Sequence, residues 1–410
     1  MEAEFHTFTL DNGIRVIHKE VPRAASHVSL VINAGSRDEI KGEGGVAHFI
    51  EHCLFKGTKK RKTYHILNRL ERVGGELNAY TTKEETWISA SFLERDLDRA
   101  VELISDIAFN STFPAKEIAK ERDVILDEIA SVMDNPSDVI FDEFEERLFG
   151  KHPLGRTILG TPESVKSLRK YDIQAFVKRN YSPGQMVFAS VGPTPIKKLK
   201  RICQKYLSDF KGKGEGVKRK KPRPVEVFDN RIVQDTYQVH HLMGSMTVGA
   251  DHKDKLPLTL LANYLGGPAM NSRLSMNIRE KYGMAYHIEA GYTPYADSGV
   301  FSIYFGTDSK FHRKVERLVN KELRIMCTKK MSTRQLHDLK KQIIGQIALS
   351  QDSGTAMMSG LAKSYLLYNR VEPLSEFFKA IEEITAEDIL RVSNEFIHTK
   401  TQSHLVYLPS

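Results

Sequence analysis

His48-Phe49-Ile50-Glu51-His52 is the stretch that decides how this chain is read. Two histidines four apart on a helix project from one face about one turn from each other, close enough to clasp a single metal ion. Glu51 stands three residues after His48 on that same face, where a carboxylate can hold or deprotonate an attacking water. Such a five-residue match arises by chance in roughly one chain in twenty or thirty. Its weight therefore depends on what surrounds it.

A metal held by two histidines needs a third protein ligand and an open position. The segment from Pro114 to Met133, PAKEIAKERDVILDEIASVM, reads as a long helix with Pro114 pre-set for its first turn. Glu121, Val124, Ile125 and Glu128 fall on one face at spacings of three and four. Burying an unpaired carboxylate is costly, and a bound cation removes that cost. The plainer alternative is two surface glutamates flanking a core stripe.

The remainder of the chain bounds the architecture. At 410 residues it is long enough for at least two domains with their own cores. Hydrophobic residues make up 40% and charged residues 27%, ordinary for a globular protein. No apolar run approaches the roughly eighteen residues that span a bilayer, so no membrane insertion is expected. The opening MEAEFHTFTLDNG has no basic stretch followed by an apolar one, so no secretory leader is expected either. Cys53, Cys203 and Cys327 form no disulfide framework and suit a reducing cytoplasm, the expected location. Cys53 follows His52 directly but points about 100° away on a helix, which makes it a packing residue.

The net charge of +8 raises the question of nucleic acid. The basic residues gather at 59–62, at 197–201 and in KGKGEGVKRKKPRP (211–224), without any nucleic-acid module signature, so no such partner is expected. The last of these clusters has a linker's composition, its charge keeping an exposed strap solvated. It divides the chain into residues 1–212, a linker at 213–228, and residues 229–410.

The two halves read as a decayed duplication. The first opens with the hairpin TFTLDNGIRVIH, whose Asp11-Asn12-Gly13 is a strong turn signal. A strand, HVSLVINAG, and the histidine helix follow. The second half has a strand, YQVHHLMGS, and then a helical segment, PLTLLANYLGG, with apolar residues where the motif would stand. One metal site per chain follows. His240 and His241 are adjacent on a strand, face opposite ways and cannot share a metal. Strands alternating with amphipathic helices such as VERLVNKELRIM imply an α+β class, with mixed sheets covered by helices.

Three segments carry a family resemblance: EIKGEGGVAHFIEHCLFKGTKKR (39–61), GGELNAYTTKEETWISA (74–90) and ERDVILDEIA (121–130). With LDNGIRVIHKE, NYSPGQMVFASVG and ITAEDILRVSNEFI they make the chain similar, nearly end to end, to the pitrilysin/insulinase zinc peptidases. Within that family it most resembles the mitochondrial processing peptidases and their short bacterial homologues. The order H-x-x-E-H, the reverse of H-E-x-x-H, is the family's inverted zinc motif.

The resemblance implies a zinc-dependent endopeptidase with one Zn2+ per chain on His48, His52 and Glu128. Glu51 matches the general base and Glu121 the supporting catalytic carboxylate. Asn78, Ala79 and Tyr80 match an edge strand that receives an extended, unstructured peptide. SRLSMNIREKYGMAYHI (272–288) places Arg279 as the substrate-gripping arginine and Tyr286 as the oxyanion donor. Asp138 and Asp142 match an acidic pair that accepts a basic side chain just upstream of the cut. A helix N-terminus favours Asp in any case, which leaves a purely structural role open for this pair. Phe55 matches the downstream hydrophobic pocket. The family fold is two homologous α/β-sandwich domains forming one half of a clamshell. For a chain carrying both the motif and the arginine–tyrosine pair, that implies a homodimer enclosing the chamber.

Overall fold

A computed structural model describes residues 5–410, so the first four residues of the stretch read for a leader lie outside it. The chain forms two compact units. The first runs through Ala130 and adds Arg156–Lys220 and Leu349–Val371. The second comprises Ser131–Gly155, Lys221–Ala348 and Glu372–Ser410.

The first unit is built on a six-stranded sheet. Its strands are β1 (Phe5–Thr9), β2 (Arg15–Glu20), β3 (Ala25–Ile32), β4 (Glu76–Thr81), β5 (Thr86–Leu93) and β6 (Met186–Gly192), in the order β1-β2-β6-β3-β5-β4. β1 and β2 pair antiparallel through the expected hairpin, with Phe5 opposite Lys19 and Thr9 opposite Arg15. Gly13 supplies the turn's φ of 101°, a left-handed angle that favours glycine. Asn12 anchors the turn by donating its amide to the Leu207 and Phe210 carbonyls at 2.7 and 3.1 Å.

The second unit carries five strands: β7 (Asp229–Gln234), β8 (Val239–Thr247), β9 (Ala285–Pro294), β10 (Gly299–Thr307) and β11 (Ser403–Pro409). Their order is β7-β11-β8-β10-β9. Without β1, the first sheet reads β2-β6-β3-β5-β4, the same path strand for strand. The directions repeat too, since β2–β6 and β7–β11 are parallel and the other pairs antiparallel. The duplication read from the halves is therefore a repeat of topology.

The compact units do not follow the linear division at 212 and 229, because two helices are exchanged. Pro136–Phe149 precedes the strap in sequence yet packs Ile140, Phe144 and Leu148 with Leu242, Leu405 and Tyr407 of the second sheet. Gly354–Tyr368 lies in the second half but packs Met357, Met358, Leu361 and Ala362 with Val31, Val187 and Ala189 of the first. Each lies against the same two strands of the repeat, β8 and β11 in one case and β3 and β6 in the other. An amphipathic pattern announces a helix with a buried face; it carries no record of which sheet that face meets.

The basic strap also departs from expectation. It has no regular secondary structure, as a linker should, but Arg219 is not solvated. Its guanidinium forks onto Asp38 at 2.9 and 2.7 Å and also donates to Asn33 and to the Glu84 carbonyl. Arg37 in turn donates to the Lys220 carbonyl at 2.7 Å. The strap is bolted to the first unit by a buried ionic network. No described helix is long and apolar enough to cross a membrane.

Removing one member of a buried ion pair strands the other, at a cost of about 3 kcal/mol. Arg219→Ala should therefore lower the urea midpoint of unfolding, whereas an unchanged midpoint would show that the strap only rests on the surface.

Candidate active site

The motif helix spans Val46–Leu54, and its entry is tightly specified. Gly45, at φ 83°, sits so close to the 159–160 turn that a Cβ would lie 2.5 Å from the Leu159 carbonyl oxygen. Glu39, almost wholly buried, accepts the N–H groups of Gly45 and Ala47 at 3.1 and 3.0 Å. It thereby satisfies two donors that a helix start leaves open. Burial pushes its carboxyl up to about 8, against the pull of those two N–H groups. Val46, Ala47, Phe49, Ile50, Cys53 and Leu54 are all buried in the core, which leaves His48, Glu51 and His52 on the remaining face.

That face meets the helix Ala115–Met133. Glu121 is buried there, with one oxygen 3.2 Å from His52 Nδ1 and the other 2.8 Å from Lys56 Nζ. A carboxylate can only accept, so the proton of the first contact belongs to Nδ1 and the His52 Nε2 lone pair is free. Nε2 then faces Glu128 Oε2 at 3.5 Å, and His48 Nε2 lies 3.7 Å from the same oxygen. Ligand atoms from His48, His52 and Glu128 all fall within 4.8 Å of one another.

This arrangement fits a zinc ion. Donor atoms on a tetrahedral zinc stand about 3.4 Å apart, given bonds near 2.1 Å. Lone pairs converging on one carboxylate oxygen repel unless a cation lies between them. Burial, and then His52, lower the His48 imidazole to about 4, which keeps it neutral and able to ligate. His48 Nδ1 is buried without a hydrogen-bond partner among the described residues.

Glu51 lies on the same helix face and its carboxyl is raised from its usual range, chiefly by burial and further by Glu128, with Thr81 and His52 opposing. Thr81 ends β4, so the candidate base abuts the strand expected to receive substrate. Among the described residues β4 is an edge of its sheet, pairing with β5 alone. Asn78 and Tyr80 are exposed on it and Ala79 is buried. Asn78 Oδ1 accepts the Ala79 N–H at 2.9 Å, and the Tyr80 ring stacks on Trp87 at 5.5 Å. Phe55 closes the motif helix, half-buried against the core.

The other expected residues belong to the second unit. Asp138 and Asp142 lie one turn apart on Pro136–Phe149, and Asp138 accepts the Asn135 side-chain amide at 2.6 Å near the helix start. Asp138 and Tyr286 line one cleft of about 310 Å³ with His240, His287 and Glu289. Tyr286 is 82% exposed on β9, the edge strand of its sheet. Arg279 sits on the π-helical turn Ser275–Glu280, half-exposed and 3.7 Å from Glu280.

Two details differ from the sequence reading. Val124, assigned to the buried face with Ile125, is 48% exposed, so that face is narrower than the spacing implied. Glu39 and Lys56 support the site although the sequence gives them no role of their own, and Thr81, the end of the expected edge strand, meets Glu51. Glu39 caps from outside the helix, six residues before Gly45, where no local capping pattern would reveal it.

Residues 15–162 match the family described as Insulinase (Peptidase family M16), and residues 167–343 match the Peptidase M16 inactive domain. An uncharacterized zinc protease of Mycobacterium leprae is 32% identical over 96% of this chain and 89% of its own length. The beta subunit of the mouse mitochondrial-processing peptidase is 31% identical over 96% of this chain and 82% of its own. The chain belongs to peptidase family M16. The fold agrees: a protease from Helicobacter pylori superposes with a TM-score of 0.92 at 22% identity, covering 99% of this chain and all of that one. A Pseudomonas fluorescens structure described as a peptidase M16 inactive domain gives 0.92 at 21% identity, covering 99% of this chain and 98% of that one. M16 membership makes this chain one of a family of zinc proteases, two helix-covered sheets included.

Losing a hydrogen-bonded partner of a ligating histidine typically weakens metal binding 10- to 100-fold. Glu121→Gln should weaken zinc affinity by about that factor in competition with a chelating dye, and an unchanged affinity would contradict the role given to Glu121.

Proposed function

We propose that this chain is a zinc-dependent endopeptidase for unfolded peptides or presequence-like segments. The observation that carries this reading is the convergence of His48, His52 and Glu128 within 4.8 Å, beside Glu51 and an open strand edge. When bound there, zinc supplies Lewis-acid polarisation of the scissile carbonyl and acidifies the attacking water.

The protein's own groups do the rest. An extended peptide adds to β4, its backbone taking N–H and C=O groups that no neighbouring strand satisfies. Asn78 holds the backbone next to the scissile bond, releasing its local contact with Ala79, and Ala79 and Tyr80 continue the strand. Glu51 removes a proton from the attacking water and passes it to the leaving amine. Burial raises its carboxyl above the usual carboxylate range, the direction that favours taking up a proton. Folded proteins are rejected because their backbones are already paired.

Arg279 grips substrate carbonyls and Tyr286 donates to the developing oxyanion. In a homodimer these two residues would complete the zinc site of the other protomer. Asp138 and Asp142 receive a basic side chain just upstream of the cut, and Phe55 contributes to a hydrophobic pocket after it. The name of the processing-peptidase relative supports precursor cleavage as the type of reaction. Three free, buried cysteines are in keeping with a reducing, cytoplasmic setting.

Glu51→Gln should keep zinc bound while reducing cleavage of an unstructured arginine-containing peptide by at least about 100-fold, the scale of a lost general base. Turnover above a few per cent of wild type would remove Glu51 from that role. Replacing both acids, Asp138→Asn with Asp142→Asn, should abolish the preference for arginine near the cut when products are identified by mass. The same cleavage map as wild type would reject the acidic subsite.

A further inference from the structure

A second group of potential ligands, sharing no member with the first, lies in the second unit. His241, on β8, is fully buried and sits between two other imidazoles. Its Nδ1 is 3.0 Å from His312 Nε2, and its Nε2 is 3.0 Å from His404 Nδ1. His312 opens the helix His312–Thr328, and Glu316 stands one turn further along it. Ligand atoms of His241, His312 and Glu316 fall within 4.8 Å of one another. His240, the sequence neighbour, points the other way toward Tyr304 and Thr236, as strand alternation requires. The pair His240-His241 therefore cannot share an ion, but His241 finds its partners through the fold.

We propose that His241, His312 and Glu316 bind one divalent transition-metal ion of the zinc type, clamping the helix His312–Thr328 to β8. Two imidazoles and a carboxylate suit zinc, nickel or cobalt rather than calcium or magnesium, which favour all-oxygen sites. The surroundings supply the outer partners that such sites use. With His241 ligating through Nδ1, its Nε2 proton is donated to His404, which fixes tautomer and ring orientation. Arg231 lies 3.6 Å from Glu316 Oε1 and is already paired with Asp229 at 3.2 and 3.3 Å. A carboxylate has two oxygens, so Arg231 can steady one while the other takes the ion. The two nitrogens need to part by only a few tenths of an ångström to reach the roughly 3.4 Å separation of ligands on zinc. The competing account is a metal-free chain of hydrogen bonds in which neutral His241 donates on one side and accepts on the other.

Zinc content of the full-length protein after equilibrium dialysis separates the two. Wild type should hold two zinc ions per chain, and His48→Ala with His52→Ala should hold one. Adding His312→Gln and Glu316→Gln to that double variant should bring the content to zero, with the far-ultraviolet circular dichroism unchanged. A folded double variant that holds no zinc overturns the proposal, and so does zinc retained in full by the quadruple variant. Should the quadruple variant not fold, cobalt titration of the double variant decides. Visible d–d bands saturating at one equivalent, together with a raised melting temperature, support the site. A featureless spectrum and an unchanged melting temperature overturn it.

Discussion

Two helices far apart in sequence meet at one buried carboxylate, and the candidate centre depends on that meeting. Glu121 spans from His52 Nδ1 to Lys56 Nζ, at 3.2 and 2.8 Å, and so joins the helix that carries it to the motif helix. The bond does two things at once. It offsets the charge that Glu121 brings into a buried position, and it fixes which nitrogen of His52 is left to ligate. Glu128, two turns further along the same helix, then falls opposite both histidines. The other end of the motif helix is fixed as firmly, by the Glu39 cap and by the glycine contact with the 159–160 turn. Geometry held from both ends is what a site must have to orient ligands without reorganising on binding.

The repeated sheet shows how one fold serves two purposes. Both units run the same strand path, and both carry a helix after the strand at the equivalent position. In the first unit that helix presents histidines and a glutamate on one face. In the second, Lys255–Gly266 turns Leu258, Leu261 and Leu265 into a core. The description of the second family region as an inactive domain agrees with that substitution. Each sheet also ends in an exposed edge, β4 in one and β9 in the other. The edges carry Asn78 and Tyr286 respectively, so each half of the duplication contributes one of the residues proposed to meet substrate.

How much of this is legible in the sequence follows from range. The motif helix, the Asp11-Asn12-Gly13 hairpin, the strand at Glu76–Thr81 and the long helix bearing Glu121 and Glu128 are all written in local spacing, and the structure contains each of them. The exchange of Pro136–Phe149 and Gly354–Tyr368 between sheets is not, because periodicity marks a buried face without naming what buries it. Arg219 looks like one more charge in a solvated strap until the fold brings Asp38, Asn33 and Glu84 around it. His312 and Glu316 stand four apart on one helix, but His241 comes from a strand that only tertiary structure brings to them. Local chemistry is legible; convergence of distant residues is legible only where a family pattern carries it.

The most direct test of the account is the position of zinc itself. In crystals of the full chain grown with zinc, anomalous difference density collected at the zinc absorption edge should show a peak about 2.0–2.2 Å from a nitrogen of His48, a nitrogen of His52 and an oxygen of Glu128. A fully ordered site without that peak would contradict the assignment of this cluster as the metal centre, and the peptidase mechanism built on it would fall.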